Sequence, residues 1–136
     1  MRQKTNYATR PDEIKIERVG HSAIVRFREN IIEYTDGETV WYEADEYTLD
    51  VPYNSTLEKR IDSKWLDRAK QQDYDNTSAT ARAERDKRLA STDWTQVKDA
   101  ALKEAKNTAY IEYRQALRDV PQQETFPYDV DWPIKP

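Results

Sequence analysis

From residue 12 to residue 53 apolar and polar side chains alternate, the pattern of strands with one buried face. Ile14 and Ile16 alternate with Lys15 and Glu17; Gly20-His21-Ser22 reads as a turn; Ala23, Val25 and Phe27 then alternate with Ile24, Arg26 and Arg28. Residues 31–35 lead into Asp36-Gly37, a type I′ hairpin signal in which both central residues take positive φ. On the far side Val40 and Tyr42 share one face and Trp41 takes the other, and a further strand over 47–51 completes an antiparallel meander of about four strands. Residues 1–11 are polar, end in Arg10-Pro11, and read as a flexible arm.

The period changes after residue 53. Ser55-x-x-Glu58 has the form of a capping box, and Leu57, Ile61, Trp65 or Leu66, and Ala69 recur at helical spacing, predicting a helix over 55–73 packed on the sheet. Residues 73–77 are polar and read as a break. A second helix over 78–90 is built on Ala79, Ala81, Ala83 and Ala90, with Leu89 its one large apolar side chain and Arg82–Asp86 and Glu84–Arg88 as supporting pairs. Asp93-Trp94 stops it. A third helix over 99–119 carries Leu102, Ala105, Ala109, Tyr113, Ala116, Leu117 and Val120 on one stripe. The economical arrangement is a helical hairpin with Trp94 buried at the corner and Tyr113 and Leu117 at the contact.

Past Val120 the chain turns to prolines and aromatics. Phe126, Tyr128, Val130, Trp132 and Ile134 are interleaved with Pro127 and Pro133, and proline, lacking an amide donor, pushes its predecessor to extended backbone. Such a tail needs a surface: its own helices, as a strap, or a partner, as a grip. Two small alanine-rich helices offer an extended peptide little, so the sequence leans toward the grip, with those five residues as the partner contact. The fold class is α+β: a β-meander with a packed helix over 12–75, then a helical hairpin with an extended tail over 76–136.

Composition narrows the function. Of 136 residues 35% are charged and 37% hydrophobic, so the core is modest, yet four Trp, nine Tyr and two Phe are more aromatic surface than disordered chains carry. Residues 1–53 hold 7 basic and 11 acidic groups and residues 54–136 hold 15 of each, so neither half has the excess of positive charge that phosphate neutralisation needs; no nucleic acid is expected as partner. With no cysteine there are no disulfides or thiolate metal sites, and no apolar run approaches a membrane span of ~20 residues. The one histidine, His21, has no nucleophile motif beside it, the pairs Asp45-Glu46 and Asp129-x-Asp131 lack a calcium loop's glycine turn, and Gly20 and Gly37 cannot build a phosphate loop. Neither catalysis nor a cofactor or metal is expected.

Arg85, Leu89, Asp93-Trp94-Thr95-Gln96, Tyr113-Arg114-Gln115-Ala116-Leu117-Arg118-Asp119, Pro121, Phe126-Pro127 and Trp132-Pro133 together resemble the phage tail assembly chaperone domain, over residues 80–136. The Asp-Trp block and the Tyr113–Pro121 block are the specific part, and the amino-terminal half lies outside the resemblance. That family occurs in tail-fibre assembly proteins of tailed bacteriophages and prophages. The resemblance implies a non-enzymatic chaperone that shields a tail-fibre subunit, or helps it fold, trimerise or attach, in the host cytoplasm during assembly. The competing expectation is a structural component of the virion that stays bound to a tail, fibre or baseplate protein as an adaptor.

Overall fold

The computed structural model describes residues 3–136. The chain divides into two compact units, Met1–Tyr74 and Asp75–Pro136. The first is a four-stranded antiparallel sheet with helical cover; its strands are β1 (Gln3–Tyr7), β2 (Ile14–Val19), β3 (Ser22–Asp36) and β4 (Thr39–Pro52), in the order β1-β4-β3-β2. The predicted alternation is what builds its core. Ala23 pairs with Val51, Val25 with Leu49 and Phe27 with Tyr47, so each cross-strand pair puts both side chains on the same buried face. Leu57 and Ala69, with Ile61, Trp65 and Leu66 beside them, close that face from the helical side. Full burial of a side chain such as Leu49 or Leu57 contributes about 1.5–3 kcal/mol each.

Four expectations for this unit are corrected. Residues 3–7 of the expected arm are a strand on the outer edge of β4; Met1 and Arg2 lie outside the described residues. What holds β1 there is a polar cluster on the sheet. The Tyr7 hydroxyl donates to Glu46 Oε2 (2.6 Å), Arg28 Nε donates to the same carboxylate (2.9 Å) and to the Tyr7 oxygen (2.9 Å), and Lys4 bonds Glu43 (3.0 Å). Second, the strands expected at 23–28 and 31–35 are one strand, β3, and those at 39–42 and 47–51 are one strand, β4. The interruption in β3 is a bulge: Asn30 takes φ +50°, a conformation Asn tolerates, and its amide donates to Asp45 Oδ2 (2.8 Å), while the register slips by one between Glu29 and Ile32. The slip moves the apolar set of the distal strand to the other parity, which is why the sequence reads as two strands.

Third, the hairpin turn is Gly37-Glu38, because Asp36 still pairs with Thr39; only Gly37 has positive φ (+61°), the arrangement of a II′ turn. Fourth, the helix expected over 55–73 is a short α1 (Leu57–Arg60) and the start of a long α2 (Ser63–Ala90). Asn54, not Ser55, takes the local bonds, accepting from the amide and hydroxyl of Thr56 (3.1 and 2.8 Å). Asp62 accepts from the Lys64 amide (3.0 Å), a better cap than the proposed box, and the chain restarts as helix from there. Once started, α2 runs through the expected break at 73–77. Those residues are polar, but none is Gly or Pro, and polarity alone removes no backbone hydrogen bond.

Glu46 is the electrostatic centre of the sheet's outer face. Burial would raise its pKa, yet the hydrogen bonds from Tyr7 and Arg28 and the charges of Arg28 and Arg26 outweigh burial and hold the carboxyl below the usual range. Burial likewise works against the charged form of Arg28, and its bonds to Tyr7 and Glu46 reverse the effect, raising it.

The second unit holds the carboxy-terminal half of α2, a 3-10 turn at Asp93–Gln96, α3 (Glu104–Asp119) and a 3-10 turn at Val120–Gln122. The third helix begins later than the expected residue 99. Residues 97–103 are irregular, with the Leu102 amide bonded to the Ala100 carbonyl (2.8 Å), and that turn sends Leu102 into the cluster of Tyr110, Tyr113 and Leu117.

Candidate functional site

The buried stripe of α3 is Tyr110, Tyr113, Arg114 and Leu117, the i, i+3, i+4, i+7 spacing of one helix face, with Val120 continuing it. Of the residues expected there, Tyr113, Leu117 and Val120 are buried, whereas Ala105 and Ala116 are exposed. Arg114 is the residue the sequence reading missed. Its signal was present: an arginine at a core position of an otherwise apolar stripe demands a partner for its charge.

That partner is the end of α2. Arg114 Nη1 donates to the Leu89 carbonyl (2.7 Å) and to Thr92 Oγ1 (2.7 Å), and Nη2 donates to Asp93 Oδ1 (2.8 Å). The last carbonyls of a helix have no partner within it and carry the negative end of the helix dipole, so a guanidinium placed there answers both deficits. Thr92, fully buried, adds a hydroxyl bond to the same Leu89 carbonyl (2.9 Å), and Thr95 donates to the Thr92 carbonyl (2.7 Å). The Asp-Trp block and the Tyr113–Pro121 block, distant in sequence, are thus joined through Arg114 and Asp93.

Trp94 does not fill the corner. It is 51% exposed and meets Tyr110 edge-on, ring centroids 5.8 Å apart. The buried corner positions are Thr92 and Thr95, whose hydroxyls satisfy backbone carbonyls that an indole ring cannot reach. The 3-10 turn points the ring outward.

The tail is not extended throughout. Residues 123–129 wind through successive turns, with Phe126 N bonded to Gln123 O (3.1 Å), Tyr128 N to Thr125 O (3.1 Å) and the Thr125 hydroxyl to the Asp129 carbonyl, and the Phe126-Pro127 bond is cis. Gln123 then clamps the segment that follows: its side-chain amide donates to the Asp131 carbonyl (2.8 Å) and accepts from the Asp131 amide (2.9 Å). Trp132 lies against the Tyr110–Tyr113–Leu117 cluster, under the Arg88 guanidinium at 4.5 Å. Phe126 lies under Arg82 at 5.3 Å. Val130 is half-buried, Tyr128 is exposed, and Ile134 is 93% exposed. Of the five residues expected to hold a partner, Phe126 and Trp132 therefore lie against their own unit, Val130 is half-buried, and Tyr128 and Ile134 are exposed.

The basic run on α2 has a local explanation. Arg88 pairs with Glu84 (2.8 Å) as expected, but Arg82 donates to Ser78 (3.2 Å) and Asp86 is taken by its neighbour Arg85 (2.8 Å). Arg82 and Arg88 offer their faces to the tail's rings, a contact worth ~0.5–1 kcal/mol at exposed sites. Among the described residues no group of His, Cys, Asp and Glu could hold a metal ion, and no helix is long and apolar enough to cross a membrane.

Residues 78–136 match the model of a family described as phage tail assembly chaperone protein. The matched segment, less than half of the chain, takes in the end of α2, the Arg114 cap and the whole tail. It supports a role in phage tail assembly. Neither curated proteins nor solved structures gave a match to the chain.

Proposed function

We propose that this protein is a tail-fibre assembly chaperone, a non-enzymatic binding protein that keeps a fibre subunit soluble until it trimerises or attaches, and that it works in the host cytoplasm during assembly. The family match over residues 78–136 carries the reading. The placement of the tail supports it: Phe126 and Trp132 hold the segment to its own helices, which leaves Tyr128 and Ile134, with Trp94 on the turn, as exposed apolar groups in the same unit. Such groups suit a contact that must form and later release.

The experiment is co-expression with the fibre gene carried by the same phage. The reading expects the fibre subunit to be soluble and to co-purify only when this protein is present, and expects purified virions to lack it. A fibre that is equally soluble alone, with no co-purification, overturns the chaperone. A protein retained stoichiometrically in virions replaces it with the structural adaptor.

A further inference from the structure

The sheet of the first unit thins out at one end. β2 pairs with β3 along Ser22–Phe27, and the last bond on that side joins Arg28 N to Glu13 O (2.8 Å). β1 pairs with β4 from Glu46 to Tyr42. Beyond these limits Ile32–Asp36 pairs with β4 alone among the described strands, so the β3 edge is open there, and past the Tyr7–Tyr42 pair residues 34–41 leave the sheet as a two-stranded ribbon. A ribbon of two strands is marginal in water, and an open edge is a template for another strand.

The ribbon's two faces differ. One carries Ile32 beside stacked Tyr34 and Trp41, ring centroids 5.7 Å apart; the other carries Glu33, Thr35, Val40 and Tyr42. Ile32, Tyr34 and Val40 are exposed. Along the open stretch the chain's own charges, Glu33, Asp36 and Glu38, are all acidic; the acids that flank it are paired, Glu29 with Lys70, Glu43 with Lys4 and Glu46 with Arg26 and Arg28. Where β2 pairing ends, a cavity of about 420 Å³ opens at the bulge; Ile14, Phe27, Ile31 and Leu66 form the apolar part of its wall, and Arg10 and Arg28 share the rest with acidic groups, so it suits an apolar side chain rather than a cationic one.

We propose that this open edge of β3 docks an extended, cationic segment of a partner protein, which adds a strand beside Ile32–Asp36. Strand geometry sets the partner's pattern: alternate side chains that are apolar lie along Ile32 and Tyr34, and the intervening Lys or Arg side chains lie along Glu33. Main-chain bonds supply affinity, and the cavity at the bulge takes the side chain at the sheet end of the incoming strand. A second copy of this chain is the wrong occupant, because two such edges side by side set Glu33 and its acidic neighbours against each other. The proposal gives the assembly partner's contact a chemistry, rests on the chaperone reading only for what that partner is, and lies outside the family-matched segment.

The test titrates the full chain with three short peptides: alternating Lys-Val, alternating Glu-Val, and a Lys-Val peptide of equal charge with prolines inserted to block pairing. The Lys-Val peptide is expected to bind, to weaken as salt is raised, and to slow amide exchange at residues 32–36; the proline peptide is expected to bind at least about tenfold more weakly, and the Glu-Val peptide not at all. Glu33→Lys with Glu38→Lys should abolish binding; if that variant does not fold, the wild-type peptide series and exchange map decide alone. Equal binding of the proline peptide, unchanged exchange at 32–36, self-association through the edge, or no binding overturns the proposal. A folded double variant that still keeps the fibre subunit soluble overturns it while leaving the chaperone reading in place. A wild-type chain that takes up the Lys-Val peptide but ignores the fibre does the reverse.

Discussion

Arg114 is buried with its charge spread over the Leu89 carbonyl, Thr92 and Asp93, so its replacement removes three bonds at once. Arg114→Ala should destabilise the second unit by about 2–3 kcal/mol, and Arg114→Lys should recover only part, because an ammonium cannot serve the fork's separate acceptors. Urea unfolding with wild-type stability in Arg114→Lys would reduce the fork to a point charge. Asp93→Asn should cost less than about 1 kcal/mol, since the Asp93 side chain is largely exposed. In the first unit the residue to test is Glu46. Its carboxyl is depressed when folded, so the unfolded chain binds the extra proton; the stability it contributes is present above the ordinary carboxylate pKa and is lost as pH falls through the folded value. Unfolding midpoints followed from neutral to acid pH should fall more steeply for wild type than for Glu46→Gln below about pH 4.5. Parallel curves would remove Glu46 as the acid-sensitive group.

Elements are where the turn chemistry tells. With only Gly37 at positive φ and no atom within 4 Å of the place a Cβ would occupy, Gly37→Val suffers backbone strain alone, about 1–2 kcal/mol, whereas Asp36→Ala should stay within about 0.5 kcal/mol. A large loss in Asp36→Ala would move the turn back to Asp36-Gly37. In the second unit two tryptophans separate by what they touch. Trp132→Ala should open α3 to hydrogen exchange over Glu104–Asp119, since the ring lies on Tyr110, Tyr113 and Leu117, while Trp94→Ala, half-exposed, should leave that protection nearly intact. The reverse ranking would make Trp94 the core residue after all.

For the molecule as a whole, deleting residues 123–136 should lower the protection of α3, because Trp132 lies on the Tyr110–Leu117 cluster and under Arg88; unchanged α3 protection would make the tail a free grip. The core strands, the third helix and the tail were legible from one dimension. Alternation at Ala23, Val25 and Phe27 named the core strands, helical spacing at Tyr113 and Leu117 named the third helix, and the aromatic-proline run marked the tail, since each is a local periodicity imposed by backbone geometry. The blocks around Asp93 and Tyr113 carried the family resemblance in the same way. What tertiary structure decided were choices between local options of similar energy. Residues 3–7 became a strand because β4 had an edge and Glu46 had room for Tyr7; residues 73–77 stayed helical because nothing in them stops a helix already running; β3 stayed one strand because Asp45 accepts from the bulged Asn30. The tail lies on its own unit because Arg82, Arg88 and the Tyr110–Leu117 cluster present rings and cations to it, a surface assembled from positions up to several tens of residues apart. Sequence period determines which face of an element is apolar, while only the assembled fold determines what that face meets.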